Sequence, residues 1–293
     1  MAQWHYPYGT AKHENWDVVI DTHAQGWEHT GLRVVTLDDT TVALPGEDQE
    51  RIILPMSGAF HVEAGTWSVD LHGRDNPFTE MTDLAYIGPR TDIAVSGRGR
   101  VAIASAHATS LRSPVYLAAS QVPVELRGTG NMSREVRNFG TPQVLEAESI
   151  IACEVLTPGG NWSSYPPHKH DHELEGIETE LEEIYYFELR QSHDLPSPRQ
   201  CTPMGYQRVS ASDDRAIDVL AEVHNQDVVL VPFGWHGPSM AAPGYDMYYL
   251  NVMAGPGRER AWRITDHPDH TWVRDLWPHH QIDPRLPFTQ NTR

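Results

Sequence analysis

Two histidines separated by a single residue, His168 and His170, give this chain its clearest chemical signal. Side chains alternate between the faces of an extended strand, so both imidazoles should project to the same side. A second predicted strand follows and opens with a carboxylate, Glu183, which a hairpin would bring to the histidines. A third imidazole, His236, follows a predicted buried strand over residues 227–232. Three imidazoles and a carboxylate are a plausible ligand set for one divalent transition metal, so the pattern indicates a metal-dependent enzyme.

The ligand types narrow the choice of metal without identifying it. Neutral imidazole and carboxylate suit zinc, manganese or iron better than calcium or magnesium, which prefer shells of oxygen ligands. The chain has 17 histidines, so a histidine pair with this spacing would be a weak signal by itself. The order of histidine pair, strand-opening glutamate and strand-ending histidine is what favours a metal site.

Glu182 is an alternative to Glu183 as the carboxylate ligand. Alternation turns only one of the two inward, and Glu183 shares its face with Tyr185 and Phe187. From the residues themselves both assignments stay open. The acidic stretch over residues 171–180 is predicted to be a solvated loop beside the site.

The elements that must position these residues are predicted to be strands. Short runs rich in β-branched residues recur between Gly, Pro and Asp along both halves of the chain, which is typical of an all-β sandwich or barrel. A polar stretch rich in turn-forming residues lies near 126–143. We therefore predict two β-rich domains, residues 1–140 and 141–293, that form a duplicated barrel with the metal motif only in the second.

Composition excludes several classes of partner. The formal net charge of −18 disfavours nucleic acid and anionic membrane surfaces, because binding phosphate groups requires a basic face. No apolar stretch approaches the roughly 20 residues of a membrane span, and the N-terminus lacks the pattern of a secretory signal. Cys153 and Cys201 fit no metal or redox spacing and are predicted to be free thiols. These features predict a cytoplasmic protein.

Longer strings of residues carry a family resemblance. The metal motif is similar to that of the cupins, which are small antiparallel β-barrels. The chain as a whole resembles the 5-deoxy-glucuronate isomerase family, which has two cupin barrels in tandem. The strings that carry this resemblance are Ser163-Ser-Tyr-Pro-Pro-His-Lys-His-Asp171, Leu181-Glu-Glu-Ile-Tyr-Tyr-Phe187 and Pro243-Gly-Tyr-Asp-Met-Tyr-Tyr-Leu-Asn-Val-Met-Ala-Gly-Pro256.

The resemblance also implies which residues hold the metal. Carried over to this chain, the ligands are His168, His170, Glu183 and His236. The related 4-deoxy-uronate isomerases place their ligand glutamate directly before an aromatic strand, and this favours Glu183 over Glu182.

The implied activity is an aldose–ketose isomerisation that converts 5-deoxy-glucuronate to 2-deoxy-5-keto-gluconate in myo-inositol catabolism. The metal would polarise the carbonyl and its neighbouring hydroxyl, and a base would move a proton between adjacent carbons. Glu182, Tyr185 and Asp246 are candidate bases, a hydroxide held at the metal is another, and a hydride shift would need none.

The substrate is expected to be a sugar acid held by arginine and by polar side chains. The predicted substrate contacts are Arg208 and Arg260 for the carboxylate, with Tyr248, Asn251 and Gln207 for other polar groups. Two other functions stay open: a cupin dioxygenase, and a sugar-acid-binding bicupin without catalysis. Analogy with cupins also predicts a homo-oligomer.

Overall fold

The computed structural model describes residues 3–192, 200–213 and 215–290, and strands dominate it. The strands are β1 (His5–Tyr6), β2 (Val18–Ile20), β3 (Thr30–Leu44), β4 (Gln49–Ala64), β5 (Trp67–Arg74), β6 (Leu84–Ile87), β7 (Ile93–His107), β8 (Val115–Leu117), β9 (Val124–Arg127), β10 (Arg134–Arg137), β11 (Ile151–Thr157), β12 (Trp162–Ser163), β13 (His168–Lys169), β14 (Glu182–Gln191), β15 (Gly205–Ser212), β16 (Arg215–Val223), β17 (Val228–Val231), β18 (Trp235–Ala241), β19 (Tyr245–Ala254) and β20 (Thr265–Asp266).

Helical structure in the described residues is limited to 3-10 segments. They are Ala119–Gln121, Gly130–Met132, Thr271–His279 and Phe288–Gln290. Among the described residues, no helix is both long enough and apolar enough to cross a membrane.

Three long strands of the first half, β3, β4 and β7, pair along their whole lengths. They belong to a sheet with the order β2-β3-β7-β4-β6-β8, in which β5 also pairs with β4. Irregularities in register interrupt the ladders at mid-strand, and such bulges bend a strand so that it can serve two layers. Gly58 and Gly99 face each other at this bend with positive φ, and a Cβ on either would collide with the opposite backbone.

The second half forms two sheets. One has the order β1-β17-β14-β19-β11-β10-β9 and the other the order β16-β15-β18-β13-β20, with β12 pairing β18. The N-terminal strand β1 therefore joins a sheet of the second half, as do β9 and β10. These two strands precede residue 140, the predicted domain boundary, which stays a prediction.

The sheet that contains β14 and β19 separates two hydrophobic cores, and successive side chains of its strands enter them alternately. Ile184 and Tyr186 lie in the core shared with the first-half sheet. Tyr185 and Phe187 lie in the core enclosed by the two second-half sheets. A further core lies within the first half and includes Phe60. Because the sheet is covered on both faces, nearly every residue of β14 and β19 is buried, and the parity of a residue number decides which core it enters.

Candidate metal centre

The predicted metal ligands come together from strands β13, β14 and β18 and from His170, which follows β13. His168 on β13 lies directly opposite His236 on β18, and their ring centroids are 4.5 Å apart. His170 follows β13, and its ring centroid lies 4.6 Å from that of His236. On β14, Glu183 Oε2 lies 3.1 Å from His170 Nε2 and 3.2 Å from His236 Nε2. All four side chains are buried.

Backbone carbonyl groups orient all three imidazoles. His168 Nδ1 lies 3.1 Å from Pro166 O, His170 Nδ1 lies 2.8 Å from Leu181 O, and His236 Nδ1 lies 3.0 Å from Gly234 O. A carbonyl oxygen can only accept, so each Nδ1–H donates to its carbonyl group and each Nε2 is left as the ring nitrogen available to a ligand or to Glu183. This arrangement, in which the remote ring nitrogen is held by a hydrogen bond, is common around histidine ligands of metals.

Two atoms at the centre of the cluster suit a bound cation. Glu183 Oε1 and His236 Nε2 are buried without a hydrogen-bond partner in the described structure, although such atoms are normally satisfied. The ligand atoms of His170, Glu183 and His236 all lie within 4.8 Å of one another. A divalent transition metal would satisfy both orphaned atoms, and the donor set of imidazole and carboxylate fits it.

The protonation states also suit a metal site. Burial opposes ionisation of Glu183, but the hydrogen bond with His170 and the adjacent imidazole of His236 outweigh it and lower the pKa of Glu183 to about 2. Burial, followed by the neighbouring His236, lowers the pKa of His168 well below its usual value. Burial opposes protonation of His170, but its hydrogen bond with Glu183 outweighs burial and raises the pKa of His170. The site therefore presents an ionised carboxylate at Glu183 and a neutral imidazole at His168, which are the forms that ligate metals, and a bound metal would replace the proton between His170 and Glu183.

A cavity of about 350 Å³ opens onto this cluster. Its lining combines two of the candidate ligands with aromatic and charged side chains. The lining residues are Glu125, Arg127, Arg134, Val136, Val155, Ser164, His168, Glu183, Tyr185, Tyr249, Asn251, Trp262, Ile264, Arg274 and Trp277.

A hydroxyl network forms one wall of the cavity. Ser164 Oγ lies 3.2 Å from Tyr185 Oη and 3.1 Å from Tyr249 Oη. Burial, followed by the nearby Glu183 carboxylate, raises the pKa of Tyr185 well above its usual value, and burial raises the pKa of Tyr249 to about 12. Both phenols therefore keep their protons at neutral pH. Tyr185, predicted as a candidate base, lines the cavity with its phenol protonated.

Strand parity separates the other predicted residues into two groups. Tyr185 and Asn251 line the cavity. Glu182, Asp246 and Tyr248 have the opposite parity and face away from it. Asp246 accepts hydrogen bonds from Gly159 N and Ser192 Oγ, while the Tyr248 hydroxyl donates to Glu154. The sequence prediction that included both Tyr248 and Asn251 therefore combined two faces of one strand.

Glu182 is bound by the first half of the chain, which corrects its predicted role as a base. Its carboxylate accepts hydrogen bonds from the backbone N–H groups of Glu28, His29 and Thr30 and from the Thr30 hydroxyl. These contacts fasten the segment that leads into β3 to the sheet that contains β14. Glu182 is a structural anchor between the two halves.

Replacing Glu182 by alanine is expected to lower the free energy of unfolding by about 3 kcal/mol, because four hydrogen-bond donors, two of them on the buried Thr30, lose a charged acceptor. Chemical denaturation measures this change. The folded fraction should keep kcat within about threefold of wild type, since the side chain lies outside the cavity. Glu63→Ala, at an exposed strand position, is the matched control and should leave stability unchanged. A stable Glu182→Ala protein without activity would restore the catalytic assignment.

The two predicted carboxylate clamps also lie outside the cavity. Arg208 is on the outer face of β15, where it pairs with Asp218 and donates to Val219 O at 3.0 Å. Arg260 donates to three carbonyl oxygens of the segment between the halves, at 2.6–2.7 Å. Both guanidinium groups are therefore engaged in structural contacts. Gln207 is buried and accepts a hydrogen bond from Ser239, but it is absent from the cavity lining.

The acidic stretch at 171–180 is less solvated than predicted. Asp171 and Glu178 are buried, and Lys169 Nζ lies 3.9 Å and 3.6 Å from their carboxylates. Asp171 Oδ1 also accepts a hydrogen bond from Gly234 N at 2.9 Å. This contact links the segment carrying His170 to the turn that precedes His236, so part of the acidic run supports the site.

Three arginines of the cavity were missed by sequence reasoning. Arg127 and Arg134 lie on the β9–β10 hairpin, in the stretch interpreted as a domain connection, and Arg274 lies in the 3-10 segment Thr271–His279. The alternation Glu125-x-Arg127 and Arg134-x-Val136 around a glycine-rich turn was the signal that could have identified a hairpin with a polar face.

Comparisons with known proteins agree on one family. The model described as the KduI/IolB family matches residues 4–273. A 5-deoxy-glucuronate isomerase of Geobacillus kaustophilus is 36% identical over 269 residues, covering 88% of this chain and 90% of the relative. A 5-deoxy-glucuronate isomerase of Listeria monocytogenes is 37% identical over 252 residues, covering 84% of this chain and 87% of the relative.

Solved structures show the fold. The crystal structure of an IolB-like protein from Salmonella typhimurium LT2 matches with a TM-score of 0.82 and 33% identity, covering 93% of this chain and 100% of that chain. An oxalate decarboxylase from Lactobacillus farciminis matches with a TM-score of 0.62 at 9% identity, covering 91% of this chain and 89% of that chain. The predicted all-β, cupin-type fold is confirmed, and its division into two tandem barrels stays a prediction.

Proposed function

Because the chain belongs to the KduI/IolB family, we propose that it is an aldose–ketose isomerase that converts 5-deoxy-glucuronate to 2-deoxy-5-keto-gluconate. The observation that carries this proposal is the coincidence of a buried three-histidine, one-glutamate cluster with an arginine-lined cavity. The relatives that bear the isomerase name cover most of this chain, which supports the same substrate class.

The proposed metal site consists of His168, His170, Glu183 and His236. Their support is the orientation of every Nε2 by a backbone contact at Nδ1 and the two orphaned buried atoms. When bound, a divalent transition metal supplies Lewis acidity at the carbonyl end of the sugar. Zinc, manganese and iron all fit this donor set.

The cavity wall would orient the sugar and hold protons. Tyr185 Oη and Tyr249 Oη keep their protons at neutral pH, so they donate hydrogen bonds to substrate oxygens or to Ser164. The Asn251 amide Nδ2 contacts Ile184 O at 3.3 Å, which leaves its Oδ1 to accept from a sugar hydroxyl. These groups fix the orientation in which a proton, or a hydride, moves between adjacent carbons.

Incubation of the purified protein with 5-deoxy-glucuronate, with and without a chelator, tests the proposal. We expect conversion to the ketose without consumption of O₂. Activity should fall to background after chelation and return when one of the three metals is added. Oxygen uptake would instead identify a dioxygenase, and binding without turnover by metal-loaded protein would identify a sugar-acid-binding bicupin. Elemental analysis of the active protein identifies the metal.

The predicted homo-oligomer rests on analogy with cupins and stays a prediction.

A further inference from the structure

Part of the cavity is lined by arginine side chains that are distant in sequence from the candidate metal ligands. Arg127, Arg134 and Arg274 all contribute to its lining. They come from the β9–β10 hairpin and from the 3-10 segment near the C-terminus. The chain has a formal net charge of −18, whereas this lining has three arginines against two carboxylates, Glu125 and Glu183, which is a local reversal of the charge balance. Such a reversal favours an anionic ligand.

The three guanidinium groups differ in how they are neutralised. Arg127 Nε lies 2.9 Å from Glu125 Oε1, and Arg274 Nη2 lies 2.7 Å from Asp266 Oδ1. Arg134 donates only to backbone carbonyl oxygens, Met132 O at 3.2 Å and Tyr165 O at 3.3 Å. Within residues 3–192, 200–213 and 215–290, no ion pair involves Arg134. It is nevertheless only 7% exposed, so it is a buried charge without a counter-ion.

The surroundings of Arg134 make this charge still less favourable in the absence of a ligand. Arg134 on β10 lies directly opposite Arg127 on β9, and like charges at such positions repel. Burial lowers the pKa of Arg134 to about 10, which still leaves it charged at neutral pH. A carboxylate bound in the cavity would relieve the repulsion and supply the missing counter-ion.

Aromatic rings hold the guanidinium groups in place. Arg134 Cζ lies 5.5 Å from the centroid of the Trp277 ring, and Arg274 Cζ lies 4.8 Å from the same ring. Stacking on tryptophan fixes the plane of a guanidinium while leaving its N–H edge able to bind. Arg134 is also tied to the candidate metal site, because Tyr165, whose carbonyl it binds, adjoins Ser164 of the hydroxyl network.

We propose that Arg134 binds the carboxylate of the sugar-acid substrate, in place of the arginines predicted from the sequence. The inference rests on the proposed isomerase function for the identity of the substrate. It places the carboxylate end of the sugar at the β9–β10 hairpin and the carbonyl end at the histidine cluster. Arg134 is therefore a specificity-determining residue for acids over neutral sugars.

Arg134→Gln tests this assignment, with Arg208→Gln as the matched control outside the cavity. We expect the KM for 5-deoxy-glucuronate to rise about 100-fold in Arg134→Gln, because a buried charge-assisted contact is lost, and to stay unchanged in Arg208→Gln. An unchanged KM in Arg134→Gln would overturn the proposal. Circular dichroism checks the fold of both variants.

A binding comparison separates this proposal from the proposed activity. Calorimetry on the metal-loaded protein measures affinity for D-glucuronate and for its neutral amide, D-glucuronamide. Wild type should prefer the acid at least about tenfold, and Arg134→Gln should lose that preference. Equal preference in both proteins would overturn the role of Arg134, whereas absence of turnover in wild type would count only against the isomerase.

A lysine variant covers the case in which Arg134→Gln does not fold. Arg134→Lys keeps the charge but loses the planar fork of donors, so we expect its KM to rise about tenfold. An Arg134→Lys protein with wild-type KM and wild-type preference for the acid would overturn the proposal.

Discussion

Replacement of His236 by alanine is expected to abolish metal binding and to lower kcat/KM by about 1000-fold or more. The imidazole is fully buried, its Nδ1 is held by Gly234 O, and its Nε2 has no hydrogen-bond partner in the described structure. Loss of a ligand removes several kcal/mol of charge stabilisation in the transition state, and each 1.4 kcal/mol corresponds to about a tenfold change in rate. Elemental analysis and steady-state kinetics measure both effects.

Thermal denaturation gives a second readout that does not depend on turnover. Added zinc or manganese should raise the Tm of wild-type protein from which a chelator has removed the metal, because a ligand that binds only the folded state stabilises that state. The Tm of His236→Ala should not change when the metal is added. His279→Ala, which removes an exposed histidine near the C-terminus, is the control and should behave as wild type. A His236→Ala protein that retains stoichiometric metal and activity within tenfold of wild type would exclude the proposed site.

Replacement of Arg74 by methionine is expected to destabilise the protein by about 3–5 kcal/mol. Arg74 on β5 forms a fully buried ion pair with Glu154 on β11, and so joins the first-half sheet to the second-half sheet that lines the cavity. The Tyr248 hydroxyl donates to the same carboxylate at 2.7 Å, and Arg137 Nη1 lies 3.7 Å from it. Without Arg74, a buried carboxylate would lose its strongest partner. Chemical denaturation measures the change.

A second substitution distinguishes loss of the ion pair from loss of packing. Arg74→Met combined with Glu154→Gln removes both charges and should recover part of the lost stability, because no unpaired carboxylate remains. Arg98→Ala, at an exposed pair with Asp38, is the control and should cause no measurable change. An Arg74→Met protein as stable as wild type would show that the buried pair does not hold the halves together.

The candidate metal site could be predicted from the sequence because its signals are local. Two histidines with strand spacing and a glutamate opening an aromatic strand are recognisable without knowing how strands pair. The substrate side of the cavity could not be predicted in this way. Arg134 and Arg274 are 140 residues apart in the chain, and only the packing of the C-terminal segment, which carries both Arg274 and Trp277, against the β9–β10 hairpin brings Arg134 to the same ring.

The all-β class, the residue types of the candidate metal site and the alternation of faces along each strand could be predicted from the sequence. What covers each face depends on how the strands pack in three dimensions. Alternation requires Glu182 and Glu183 to point in opposite directions, but both are buried, so hydrophobic patterning cannot say which faces the cavity. The first half of the chain binds Glu182 through backbone N–H groups more than 150 residues away, and Glu183 is left to the histidines. Contacts between distant segments depend on the whole fold, and a local pattern cannot contain them.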